Sequence, residues 1–196
     1  MIPLASAQAA TTINTKQTSY SSANLGSSVD PIFQGGTLQI AGAGTITQDF
    51  DVQDYDTNTI DANGKAVTFS GALTGAGGLI FKDGVGGGVV TLTSSTNAYT
   101  GVTTINSGAT VALSGTGTLI SSSQVAVNGT LDISGTTSGA TLKSLAGAGN
   151  VTLGAQTLSI GGASTTFSGV ISGTGGFKLL GGTQTLSGAN TYTGGT

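Results

Sequence analysis

Five of the chain's eight aspartates fall within thirteen positions, in Asp49-Phe50-Asp51-Val52-Gln53-Asp54-Tyr55-Asp56 and then Asp61. Clustered carboxylates supply the oxygen ligands that hard cations take, which makes Asp49, Asp51, Asp54 and Asp56 a candidate Ca²⁺ site. Their spacing matches neither the EF-hand loop nor the glycine-rich calcium nonapeptide. The same stretch also reads as an exposed strand, with Phe50 and Val52 inward and Asp49 and Asp51 outward, the charge keeping an edge soluble. The strand reading is preferred, so no metal ligand is assigned.

Other residue patterns suggest chemistry more weakly. Thr-x-Thr occurs at Thr45/Thr47, Thr57/Thr59, Thr91/Thr93, Thr183/Thr185 and Thr191/Thr193. A flat threonine ladder can match an ordered surface such as ice or crystalline polysaccharide. The pairs are unevenly spaced in a Thr-rich chain, so a structural role is preferred. Tyr99 and Tyr192 occupy equivalent repeat positions and read as corner-packing residues rather than carbohydrate-stacking platforms. The string Gly84 to Gly88 lacks the Gly-Lys-(Ser/Thr) ending and the following helix of a phosphate loop.

What is missing narrows the chemistry further. The chain has no His, Cys, Arg or Glu. The common zinc, copper, haem and iron–sulfur ligand sets therefore cannot be assembled from it. The usual general bases, thiol nucleophiles and bidentate anion clamps are missing as well. A polysaccharide lyase built on a β-helix, the reading from another class, would need Arg or clustered carboxylates to neutralise and deprotonate a uronate. No catalytic residue, no cofactor and no enzymatic activity are expected within these residues. The formal net charge of −3 argues against nucleic acid or an anionic membrane surface as partner.

The elements that would position such residues are written in the composition. Gly, Thr and Ser make up 91 of 196 residues, which on its own suggests low complexity. Yet Leu, Ile, Val and Phe number 46, and they sit in short alternating runs such as Thr37-Leu38-Gln39-Ile40, Thr130-Leu131-Asp132-Ile133 and Thr157-Leu158-Ser159-Ile160. Alternation over four to six residues bounded by Gly marks strands. Gly interrupts most of the chain, and no stretch of a dozen residues carries a clear helical period. The chain is expected to be folded and all-β.

Those strands recur. The pattern apolar–small–Gly–x–Gly–x–apolar appears from Ile40 to Ile46, Leu73 to Leu79, Leu113 to Leu119, Leu145 to Val151 and Ile171 to Phe177. Thr110 to Thr116 aligns with Thr130 to Thr136, 20 residues on. Phe69-Ser70-Gly71 returns as Phe167-Ser168-Gly169, and Asn97-Ala98-Tyr99-Thr100-Gly101 as Asn190-Thr191-Tyr192-Thr193-Gly194. A repeat near 20 residues with short strands and Gly corners predicts a parallel β-helix (β-solenoid) over residues 36–196, of about eight coils. Residues 10–35 lack the repeat and read as an N-terminal capping segment. Met1 to Ala9, ending in Ala7-Gln8-Ala9, reads either as a signal-peptide remnant or as an Ala-rich end. Thr196 falls inside a repeat, as expected of a fragment of a longer array. No stretch is apolar enough to span a membrane as a helix.

Leu186-Ser187-Gly188-Ala189-Asn190-Thr191-Tyr192-Thr193-Gly194-Gly195-Thr196 resembles the passenger-associated transport repeat of Gram-negative autotransporters. Leu92 to Val111 resembles a degenerate copy. The resemblance covers residues 69–115 and 167–196 and is only compositional elsewhere. It implies a right-handed β-helical passenger segment at the cell surface or outside the cell, exported through a C-terminal outer-membrane barrel that is not in this sequence. The implied role is adhesion, aggregation or biofilm formation, with cell-surface proteins, glycans or other copies of the chain as partners. A passive stalk whose binding tip lies elsewhere is the alternative.

Overall fold

The computed structural model describes residues 11–14, 20–21, 25, 30–162 and 164–196. The signal-remnant reading of Met1 to Ala9 lies outside them. Among the described residues there is no helix, and every sheet is built from parallel strands. They stack as a β-solenoid of about eight turns, as the sequence predicts.

Each turn visits three faces in the same order. The first face opens with β1 (Thr12–Asn14), β3 (Ile32–Gln34), β6 (Phe50–Val52) and β9 (Leu73–Thr74), and resumes with β16 (Ala140–Leu142), β19 (Leu158–Ile160) and β22 (Phe177–Leu179). Between these two sheets, the segments around 97–101 and 117–120 pass this side of the turn without forming strands. The second face carries β2 (Tyr20–Ser21), β4 (Thr37–Gln39), β7 (Thr59–Asp61), β10 (Leu79–Lys82), β12 (Thr103–Ile105), β14 (Val125–Val127) and β17 (Leu145–Ala146). It continues as the pair β20 (Ser164–Phe167) and β23 (Thr183–Leu186). The third face is β5 (Gly44–Ile46), β8 (Ala66–Phe69), β11 (Val89–Leu92), β13 (Thr110–Gly115), β15 (Thr130–Thr136), β18 (Asn150–Thr152) and β21 (Val170–Ser172). β1, β2 and β3 already belong to these sheets, so pairing begins before residue 36.

Alternation sets the core. On the third face Val67, Val90, Val111, Leu131, Val151 and Ile171 stack in register, each at most 3% exposed. On the second face Leu38, Ile60, Phe81, Ile105 and Val127 do the same. Phe33, Phe50 and Phe69 form a tilted aromatic stack, with ring centroids 5.6 Å apart at each step. Burying one such side chain contributes about 1.5–3 kcal/mol, the term that opposes the backbone entropy of a Gly-rich chain.

Turn length varies: Leu142 stacks on Ile160, 18 residues later, and Phe81 on Ile105, 24 later. The 20-residue alignment holds as Thr110 on Thr130 and Ala112 on Asp132. It then slips by one, so that Ser114 meets Gly135 and Gly115 meets Thr136. An extra residue enters β15 there, a bulge that sequence identity hides.

The Gly-x-Gly motif does not mark one fixed corner. Its copies at Ile40 and Leu145 join the second face to the third, and that at Leu73 joins the first to the second. Those at Leu113 and Ile171 join the third to the first. Successive copies are thus separated by one and two-thirds turns three times, and then by one and one-third. Spacing that is irregular in residues is regular in thirds of a turn.

Candidate functional site

The predicted acidic stretch is a strand followed by a tight turn. β6 points Phe50 and Val52 inward, at 1% and 0% exposure, and Asp49 and Asp51 outward. Both outward carboxylates are engaged. The Ala72 amide donates to Asp49 Oδ1 (2.6 Å), pinning the next turn, and Gln53 Nε2 donates to Asp51 Oδ2 (3.2 Å). Gln53 in turn accepts from Gln34 Nε2 at 2.8 Å. Asp54 and Asp56 lie on the exposed turn beyond. The structure therefore separates the four residues rather than gathering them. Among the described residues, no group of three or more carboxylates is arranged to hold a metal ion.

Asn58 holds that turn in place, and sequence reasoning missed it. Fully buried, it accepts from the Gly35 amide through Oδ1 (2.7 Å). Its Nδ2 donates to the carbonyls of Gln53 (2.8 Å), Tyr55 (3.1 Å) and Gly78 (3.2 Å). One amide side chain thus ties three consecutive turns together, and Asp54, Tyr55 and Asp56 project as a result. Asp54 and Asp56 form one wall of a groove of about 280 Å³ that runs along the second face. Its floor is Leu79, Ile80, Val102 and Thr104, and Ser123 closes the far side. Tyr55 between the two carboxylates is 45% exposed and Val102 42%. The groove offers two carboxylates, hydroxyls and apolar surface, a set that binds by contact and hydrogen bonding.

A second acidic pair organises the glycine string. Asp61, buried on the second face, accepts from the amides of Asn63 (3.0 Å) and Gly84 (2.9 Å), and Lys82 Nζ lies 3.3 Å away. Asp83 accepts from Gly64 (2.7 Å), Gly88 (2.6 Å) and Val85 (3.3 Å). Desolvation alone would raise its carboxyl, but the amides of Gly64, Gly88, Gly86 and Val85 outweigh that and hold it below the usual carboxylate range. The Gly84 to Gly88 loop is therefore wrapped around a protein carboxylate.

The threonine pairs separate in the same way. Thr45, Thr68 and Thr91 form one outward column on the third face, and Thr47, Ser70 and Thr93 follow them along their strands as a second. Strands lie about 4.8 Å apart, so three turns carry a two-column hydroxyl array. Ala112 and Asp132 interrupt it. Thr57/Thr59, Thr183/Thr185 and Thr191/Thr193 lie elsewhere.

Tyr99 is a packing residue, 1% exposed. Its hydroxyl pairs with Thr103 Oγ1 (2.6 Å), which donates to Ser122 Oγ (2.9 Å), and Ser122 caps the carbonyls of Gly101 and Gln124. Burial, only partly offset by the Thr103 bond, pushes the Tyr99 phenol far above its ordinary range. Tyr192 repeats the pairing with Thr196 (2.7 Å) but is only half-buried.

Compared with known proteins, the chain matches no family model, and neither a curated protein nor a solved structure is significantly similar to it.

Proposed function

We propose that this chain is an autotransporter passenger segment that acts at the cell surface in adhesion, aggregation or biofilm formation, without enzymatic activity of its own. The observation that carries the reading is the passenger-like repeat itself. Its two copies, within residues 69–115 and 167–196, build the same corner on different faces of one parallel β-solenoid. In both, Asn97 or Asn190 accepts from the amide of Leu73 or Ile171 at 2.9 Å, and a Tyr–Thr hydroxyl pair follows. A near-neutral exterior with hydroxyl columns and a shallow acidic-walled groove supports binding through many weak polar contacts to surface proteins or glycans. The uninterrupted core supports the second reading, a passive stalk whose binding tip lies elsewhere.

Displaying these residues on a non-adherent cell separates the two. The adhesin reading expects a gain in cell–surface or cell–cell binding, reduced by Asp54→Asn with Asp56→Asn. No gain across glycan and matrix-protein arrays assigns the segment to the stalk.

A further inference from the structure

The groove walled by Asp54 and Asp56 breaks the polar outer surface of the second face with apolar groups. Ile80 takes an outward position in β10, in register with Thr59 of the preceding turn and Thr104 of the next. Val102, two residues before Thr104, is 42% exposed. Apolar surface left open beside polar groups marks an interaction site. The groove crosses three turns, from Gly78 through Val102 to Ser123. At about 4.8 Å per strand that is roughly 10 Å, the length of about three extended residues.

Charge at the groove is one-sided. No lysine lines it, and among the described residues neither Asp54 nor Asp56 has a side-chain hydrogen bond or ion pair. Lys82 on the same face is committed to Asp61. The backbone that carries the two carboxylates is fixed in advance, because Asn58 ties their turn to Gly35 on one side and Gly78 on the other. A ligand therefore has little main chain left to order.

We propose that the groove receives an extended segment of another protein that carries a basic residue between apolar ones. The cationic head meets the Asp54 and Asp56 carboxylates, its aliphatic stem lies over Ile80 and Val102, and the flanking apolar residues cover the rest of the floor. This names a partner class for the groove and rests on the adhesion reading for where that partner is met.

A fluorescein-labelled Gly-Ser-Val-Lys-Val-Ser-Gly peptide, titrated into the 196-residue chain and followed by anisotropy and hydrogen exchange, tests it. The expected result is saturable one-to-one binding, weakened by salt, with slowed exchange confined to 53–58, 77–82 and 101–106. Asp54→Asn with Asp56→Asn should weaken binding about fivefold at an unchanged urea midpoint, as when an exposed cation loses two carboxylates. Val102→Ser should weaken it too, whereas Asp132→Asn, on the third face, should not. Equal binding of a peptide with norleucine in place of lysine, which keeps the stem without the charge, overturns the proposal. So does protection elsewhere on the chain, or sedimentation showing that a second copy fills the groove and excludes the peptide. Peptide binding by the purified chain without cell binding by the displayed one upholds the groove and removes the adhesion reading; cell binding without peptide binding does the reverse.

Discussion

Asp83 shows what one carboxylate does in a chain with so few charges. Its oxygens gather amides from its own loop and from Gly64, 19 residues earlier, so it closes the loop and joins two turns. Because those amides favour the ionised form, its folded pKa lies below the unfolded one. The stabilisation it provides is complete above the ordinary Asp value near 3.8 and is lost as pH falls through the lower folded value. Asp83→Asn keeps one acceptor but turns an amide NH₂ toward the Gly88 N–H. The variant should unfold at lower urea than the parent at pH 6, and the gap should shrink steadily toward pH 2. A gap that does not change with pH would exclude an ionic contribution. The sequence displayed the glycine string but not its anchor, because the Gly64 donor comes from a neighbouring turn. Asn58 escaped notice for the same reason, since its partners span Gly35 to Gly78. The orientation of Phe50, Asp51 and Val52 was legible, because alternation along one strand is a purely local signal.

Elements obey a rule that sequence reveals only in half. The Gly-x-Gly corner was visible as a pattern, but nothing local distinguishes one corner of a triangular turn from another, since all three need the same tight reversal. Placement depends on the number of residues in each face, and the bulge after Ala112 shows how one residue shifts the count. Packing then decides which glycines are obligatory. A Cβ on Gly77 would stand 1.9 Å from the Gln53 carbonyl oxygen, and on Gly175 1.8 Å from that of Gln156, because successive turns touch backbone to backbone there. Gly42, in the first copy of the same motif, has no atom within 4 Å of that position and no positive φ. Gly77→Ala should therefore cost about 1–3 kcal/mol or more, as overpacking against rigid backbone does. Gly42→Ala should change stability by no more than about 0.5 kcal/mol, the range of surface substitutions. Urea midpoints of the two variants decide the point. Equal losses would mean that glycine serves chain flexibility here rather than turn-to-turn contact.

At the scale of the whole molecule, the strands of each described turn pair only with those of the turns beside it, so stability should sum nearly independent turn and interface terms. The interior turns have two interfaces and a filled core: Val111, Leu131 and Val151 are each fully buried between flanking strands. In the 196-residue chain the turn from Phe177 to Thr196 packs on one neighbouring turn, and its inward Leu186 and Tyr192 are only half-covered. Opening free energy should accordingly be highest around residues 110–152 and lowest over 177–196. Hydrogen exchange read peptide by peptide under native conditions should show that gradient, with the slowest amides in β13, β15 and β18. The same experiment on Gly77→Ala should speed exchange in the turns that Gly77 touches, between about residues 50 and 105, and leave β18 and β21 nearly unchanged. That locality follows from the short reach of the bonds among the described residues, where the farthest side-chain bond given, from Gln184 to the Leu145 carbonyl, spans two turns. One uniform opening free energy for every turn, shifted as a block by the substitution, would instead mark the solenoid as a single cooperative unit and sink the nearest-neighbour account.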